Sequence, residues 1–238
     1  MASARRSVLV NPLHDAFTQT VAADIDSTRA ALITKYGFAI PTDEALEAAR
    51  RCSPTGVVEV GAGTGYWAHL LQQRGVDVAA FDIEPAPSPK NPWFAGTRPW
   101  HQVHVADHDV VAQYSDRTLL IVWPTKNEIW AAAAVERYHD AGGACLVYVG
   151  EGPGGHTGDD VFHALLGELT TCVQCSYGLT SSPCICRVEP LWRRTETVVL
   201  PHWPSCNDDL HVFTRQERTR PSTQRRSLKP RRPREREG

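Results

Sequence analysis

No run of apolar residues in this chain approaches the 18 or so that a membrane span needs, and residues 1–10 carry Arg5 and Arg6 with no hydrophobic stretch behind them. Neither a spanning helix nor a secretory leader is expected, and the reading is a soluble, cytoplasmic protein with no membrane partner. An even set of cysteines is also missing. The seven present, at positions 52, 145, 172, 175, 184, 186 and 206, suit reduced thiols better than a disulfide framework. No internal repeat divides the chain, and 238 residues with 42% hydrophobic content can bury one sizeable core. A single domain over 1–214 is expected, followed by a tail.

Net charge is small as well, −2 overall, but it conceals an asymmetry. From Arg215 onward there are ten Lys/Arg against three Glu, whereas residues 1–214 hold fifteen Lys/Arg against twenty-four Asp/Glu. The body is acidic and the tail basic. Pro221, Pro230 and Pro233 interrupt the tail, and Leu228 is its only large aliphatic residue. It cannot bury enough apolar surface to offset the entropy of ordering, so 215–238 is expected to be disordered. It could attract nucleic acid through its charge, or be a solvated end with no partner; the second reading is preferred.

What the chain does have is VVEVGAGTG at 57–65, a β-branched strand running into glycines 61, 63 and 65. Glycine has no Cβ, so such a turn bends tightly and lets a ligand lie against bare backbone at a helix N-terminus. A second strand, 76–81, ends in Asp82, about 20 residues beyond the first glycine, where a doubly wound fold places a ribose-binding acid. The dinucleotide fingerprint G-x-G-x-x-G is broken, because its last glycine is replaced by Tyr66. That weighs against a nicotinamide cofactor.

The coarse layout is α/β. Residues 16–36 suggest a helix with Phe17, Val21, Ile25, Ala31 and Leu32 on one stripe, and Pro41-Thr42 opens another with carboxylates early and arginines late. After the glycines, Tyr66, Trp67, Leu70 and Leu71 share a helical face, with Gly75 as the stop. Residues 85–100 hold five prolines and should form a long loop. Strands are expected near 103–105, at 118–123, whose unbroken apolar run suits burial on both faces, and at 144–149. Helices are expected at 127–138 and 159–169, and two closing strands at 195–200 and 209–214.

Residues 57–65, with Glu59 as the acid and Asp82 ending the next strand, resemble the E/D-x-G-x-G-x-G motif of the class I S-adenosylmethionine-dependent methyltransferases. The resemblance covers 55–150 well and the flanking segments in outline. It implies a Rossmann-like, mostly parallel seven-stranded sheet with helices on both faces and a C-terminal antiparallel hairpin, preceded by N-terminal helices in 1–54. Those helices would cover the cofactor and help bind substrate, or simply cap the sheet. It also implies a cofactor, S-adenosyl-L-methionine, and a methyl acceptor that the sequence does not identify. Gly61, Gly63 and Gly65 would pass its amino-acid and ribose portions, Asp82 would accept from the ribose hydroxyls, Glu59 would sit near its amino-acid end, and Asp107 would meet the adenine amino group. For Asp82 and Asp107 the competing role is a turn or helix cap.

Methyl transfer needs little beyond alignment, so no catalytic residue is assigned. The Asp/Asn-Pro-Pro-aromatic motif of amino-directed members is absent after the fourth strand, where the chain reads Trp123-Pro124-Thr125-Lys126. Trp123 and Pro124 could line the transfer site or pack the core. Asn91-Pro92-Trp93 is closer to that motif but follows the second strand, outside the expected geometry. His156 and Glu151, beyond the fifth strand, could act as bases, although plain solvated loop residues are the preferred reading. His101, His104 and His108 are read as non-ligands. Cys172, Cys175, Cys184 and Cys186 lie in an insertion expected over 170–192; they could hold zinc, but free thiols are preferred and no metal is expected. Rival functions are a nicotinamide oxidoreductase and a non-catalytic module that binds nucleic acid through the tail.

Overall fold

The computed structural model describes residues 9–20, 24–169 and 188–217. Helices α1 (Pro12–Gln19), α2 (Ile25–Tyr36) and α3 (Asp43–Arg51) precede the sheet, and α4 (Tyr66–Gln73), α5 (Trp130–Asp140) and α6 (Asp160–Leu165) lie between its strands. Strands β1 (Val57–Val60), β2 (Val78–Asp82), β3 (Val103–Val105), β4 (Thr118–Val122), β5 (Cys145–Gly150), β6 (Trp192–Val199) and β7 (Asp209–Arg215) form one sheet ordered β3-β2-β1-β4-β5-β7-β6. β1 to β5 run parallel, while β7 pairs antiparallel with both β5 and β6. The chain is thus a Rossmann-like α/β fold with a seven-stranded, mostly parallel sheet and a closing antiparallel pair. Strand order reverses between β1 and β4, so a crevice opens beyond their carboxyl ends.

Local sequence accounts for most of this. Thr42 caps α3 by accepting from the Ala45 amide, with Asp43 and Glu44 in the first turn and Arg50 and Arg51 in the last, each complementing the helix dipole. Asp159 caps α6 through the Phe162 amide. Leu119, Leu120 and Ile121 of β4 are all buried because their side chains alternate between two covered faces. One face joins Leu120 and Val147 to Leu46 of α3 and Leu70 of α4; the other joins Leu119 and Ile121 to Val135 of α5 and Phe162 of α6.

The N-terminal stripe over 16–36 is divided. Thr20 turns to extended backbone after α1, and α2 starts afresh at Ile25. Tyr36 is the one fully buried residue of α2, so end contacts fix that helix more than a continuous stripe does. β6 begins at Trp192, inside the stretch expected as insertion, because that indole is fully buried and stacks on Tyr138 at 5.7 Å. β7 runs through Arg215, and Gln216 bonds to Leu191 and Trp192, so the body extends slightly past 214. The four clustered cysteines and the tail beyond Glu217 lie outside the described residues. Among the described residues no helix is long and apolar enough to cross a membrane.

Candidate functional site

A cavity of about 770 Å³ opens at the carboxyl ends of β1, β2 and β4, within the range of roughly 300–1,000 Å³ typical of ligand pockets. Glu59, Gly61, Gly63, Asp82 and Asp107 all line it. Gly65 instead caps α4 with a left-handed backbone (φ 71°), and a Cβ there would meet His101 and Val103. Its role is to turn the chain into the helix. Tyr66, where a dinucleotide site has its third glycine, is buried; its hydroxyl donates to Asn11 at 2.8 Å and accepts from the Leu13 amide at 3.1 Å. That tyrosine ties the N-terminal helices to the glycine turn.

Glu59 has the least ordinary environment. It is 2% exposed, and one of its carboxylate oxygens, Oε2, is buried with no partner. Burial, reinforced by the negative charge of Asp82, pushes its pKa up to about 8. A buried carboxylate beside a cavity, with one oxygen unsatisfied, favours a cationic ligand there.

Asp82 bridges two backbone segments. It accepts from the Gly63 amide through Oδ2 and from the Glu84 amide through Oδ1, both at 2.8 Å. The residue expected to bind ribose therefore also holds the glycine turn in shape. Asp107 caps the following 3-10 turn by accepting from the Asp109 amide at 2.9 Å, so it combines a cap with a place on the cavity wall. Between them Ile83 is 68% exposed, an apolar side chain left facing the cavity.

The glycine backbone is not bare. A Cβ on Gly61 would meet the Trp130 ring at 2.7 Å, and one on Gly63 would meet Phe94 at 2.6 Å. Both glycines have left-handed φ (69° and 54°), so close approach and backbone conformation each require them. A ligand against this turn must displace those two rings or lie beside them.

The proline-rich loop reaches the cavity, contrary to the reading that put Asn91-Pro92-Trp93 outside the site. Ala86 and Trp100 donate backbone bonds to Gly63 and Thr64, folding the loop over the glycine turn. Asn91 is buried; its amide donates to the Glu84 carbonyl and its Oδ1 accepts from Trp93 and Phe94. The amide is thus engaged in shaping the loop that presents Trp93 and Phe94.

The same loop joins an aromatic wall. Phe38 stacks on Trp123 at 5.4 Å and 8° and meets Trp93 edge-on at 5.2 Å. Trp123 has a left-handed backbone (φ 51°), lines the cavity and also packs against the core that holds Leu46 and Leu70. Side chains of Trp100, Thr64 and Trp203 donate to the carbonyls of Lys35, Tyr36 and Phe38, fixing the end of α2 as part of that wall. The N-terminal helices therefore shape the cavity as well as covering the sheet.

Beyond β5, Glu151 is not a solvated loop residue: it is 3% exposed. Burial drives its carboxyl up, but donors from Asn207 and His156 outweigh burial and hold it below the usual range. His156 places Nδ1 2.8 Å from Glu151 and has a 59% exposed side chain on the cavity rim. Cys206, which local sequence did not single out, lines the same end. Among the described residues His101, His104 and His108 join no convergent metal-ligand group.

No known family profile matches this chain, and no curated protein is detectably similar in sequence. Among solved structures, magnesium protoporphyrin IX methyltransferase from Synechocystis PCC 6803 with bound SAM is similar with a TM-score of 0.42 and 13% identity, over 87% of this chain and 85% of that one. An rRNA methylase from Streptococcus thermophilus is similar with a TM-score of 0.39 and 14% identity, over 73% of this chain and 96% of that one. A mutant of MtNAS is similar with a TM-score of 0.38 and 13% identity, over 72% of this chain and 58% of that one, so the chain spans under two thirds of its length.

Proposed function

We propose that this chain is an S-adenosyl-L-methionine-dependent methyltransferase. The observation that carries the reading is the unpartnered Oε2 of buried Glu59, on the wall of a cavity bounded by a glycine turn. In this reading the cofactor's cationic amino-acid end lies toward Glu59 and its backbone contacts are to Gly61 and Gly63. Asp82 accepts from the ribose, Asp107 from the adenine amino group, and Ile83 packs on the base. Gly65 acts indirectly by shaping the turn.

When bound, the cofactor supplies an activated methyl group. The chain's own part is to align the acceptor and exclude water. The Phe38–Trp123 stack and Trp93 offer flat apolar surface on the cavity wall for a planar acceptor.

Calorimetry with S-adenosylhomocysteine and with NAD tests this. Saturable binding of the first alone, lost in Glu59→Gln, is expected. Binding of NAD alone would favour an oxidoreductase, and binding of neither would sink both.

A further inference from the structure

The cavity end away from the glycine turn gathers side chains that methyl transfer does not require. A Glu151 carboxylate oxygen, a His156 ring nitrogen and the Cys206 sulfur all lie within 4.8 Å of one another. Glu151 and Cys206 are 3% and 6% exposed, so this is no solvated surface cluster. Two residues beyond Cys206, Asp208 is 1% exposed and neither carboxylate oxygen has a partner. Buried carboxylates are paired, hydrogen-bonded or metal-bound. The neighbouring cation, Arg29, does not pair with Asp208: its guanidinium donates to the Pro204 carbonyl at 3.2 Å and to the Cys206 sulfur at 3.3 Å, a contact that a metal on that sulfur would replace. His202 stands 3.6 Å from Asp209.

We propose that Cys206, His156 and Glu151 bind a divalent cation of the zinc class, with Asp208 as a buried counter-charge and a fourth position open to the cavity. The geometry decides for an ion of this size. Zinc lies about 2.3 Å from sulfur and about 2.0–2.2 Å from nitrogen or oxygen, so tetrahedral ligand atoms stand roughly 3.3–3.7 Å apart. His156 Nδ1 stands 2.8 Å from Glu151 Oε2, and all three ligand atoms lie within 4.8 Å of one another. Small side-chain shifts would close the triangle on one ion. The donor set decides the element class: a thiolate and an imidazole disfavour magnesium and calcium, which take oxygen ligands.

On binding, Cys206 gives its thiol proton to solvent and the sulfur lone pair to the ion. His156 moves its remaining proton to Nε2, leaving Nδ1 to coordinate. Since His156 and Cys206 line the cavity, the open position faces the space assigned to the acceptor. Three protein ligands with one position free is the arrangement of catalytic zinc. The site stands without the methyl-transfer reading, because none of its ligands touches the glycine turn.

The test uses the full chain with Cys172, Cys175, Cys184 and Cys186 changed to Ser and with Cys52 and Cys145 kept the same in every variant, so that only Cys206 differs among the thiols compared. After chelator treatment it is titrated with Co²⁺. One equivalent with a thiolate-to-cobalt charge-transfer band is expected, absent in Cys206→Ser and weakened at least roughly tenfold in His156→Ala. His156→Ala alters an exposed side chain and keeps the test open should Cys206→Ser unfold. If the four-serine chain is insoluble, the wild-type chain is compared with His156→Ala, which should bind one equivalent fewer. No cobalt bound by the four-serine chain, an undiminished band in Cys206→Ser, or equal stoichiometry in the last comparison would each overturn the site.

Discussion

The two ends of the cavity are built differently. The glycine end comes from β1, β2 and the turns after them, a stretch contiguous in sequence, and its polar groups serve the backbone as well as the cavity. Asp82 holds the glycine turn through the Gly63 amide, and the Tyr66 hydroxyl ties it to the N-terminal helices. The rest of the wall, out to its far end, joins Phe38, Trp93, Trp123, His156 with Glu151 behind it, and Cys206 from five separate segments. The contrast teaches that at the glycine end binding and folding depend on the same atoms, whereas elsewhere on the wall an aromatic such as Trp93, 53% exposed, can be removed with little loss of fold.

The largest expected effect that could break this comparison is that of Gly61→Val. Sequence alone suggests that Gly63→Val, in the same turn, blocks cofactor and spares the fold. The left-handed backbone and the Trp130 ring 2.7 Å from the new Cβ predict that the fold suffers too. Strain of about 1–2 kcal/mol from the backbone alone, plus the clash, should lower the melting temperature of the ligand-free protein. A normal melt with binding lost would restore the simpler view.

Next, Asp82→Ala should cost roughly 1–3 kcal/mol without any ligand, because the Gly63 and Glu84 amides lose their acceptor. Denaturant unfolding measures it, and unchanged stability would mean that those bonds are dispensable.

Glu59→Gln sharpens the comparison through pH. The Glu59 pKa is raised from 4.5 to about 8, so between those values the unfolded chain releases a proton that the folded chain keeps. Stability contributed by the neutral carboxyl is therefore complete below 4.5, falls as pH rises toward 8 and levels off above it. The Gln variant should melt near wild type at pH 5, melt above it at pH 8.5, and bind S-adenosylhomocysteine poorly at both. Parallel melting curves across that range would remove Glu59 from this role.

The smallest expected effect on stability is that of Trp93→Ala, within about 0.5 kcal/mol for a half-exposed side chain. It should spare S-adenosylhomocysteine affinity and weaken binding of planar aromatic probes. A large loss of stability would show the far end to be as structural as the glycine end.

Much of the glycine end was legible because its chemistry follows chain order. A strand, three glycines and an acid at the next strand end already fix which atoms can meet, and burial adds only the unpartnered state of Glu59. The far end gave weaker signals. Asn91-Pro92-Trp93 follows β2, where chain order gives no reason to place it at the site, and only the loop's backbone bonds to Gly63 and Thr64 bring it over the turn. Glu151 looked like a loop residue until the β6–β7 connection covered it and the Asn207 amide bonded to it. The break between α1 and α2 eluded the stripe over 16–36, because periodicity continued across a point where Thr20 leaves helical geometry.

By itself the sequence determined the alternation of strands and helices and a turn at Gly61, Gly63 and Gly65 that only glycine can make. These follow from dihedral sterics and the period of apolar residues, which act over a few positions. Tertiary structure alone decided that Phe94 and Trp130 lie against that turn, that Asp82 secures it, and that a histidine, a buried glutamate and a cysteine 50 or more residues away converge. Those meetings depend on how loops fold back across the sheet, which is set by long-range packing that local spacing does not encode.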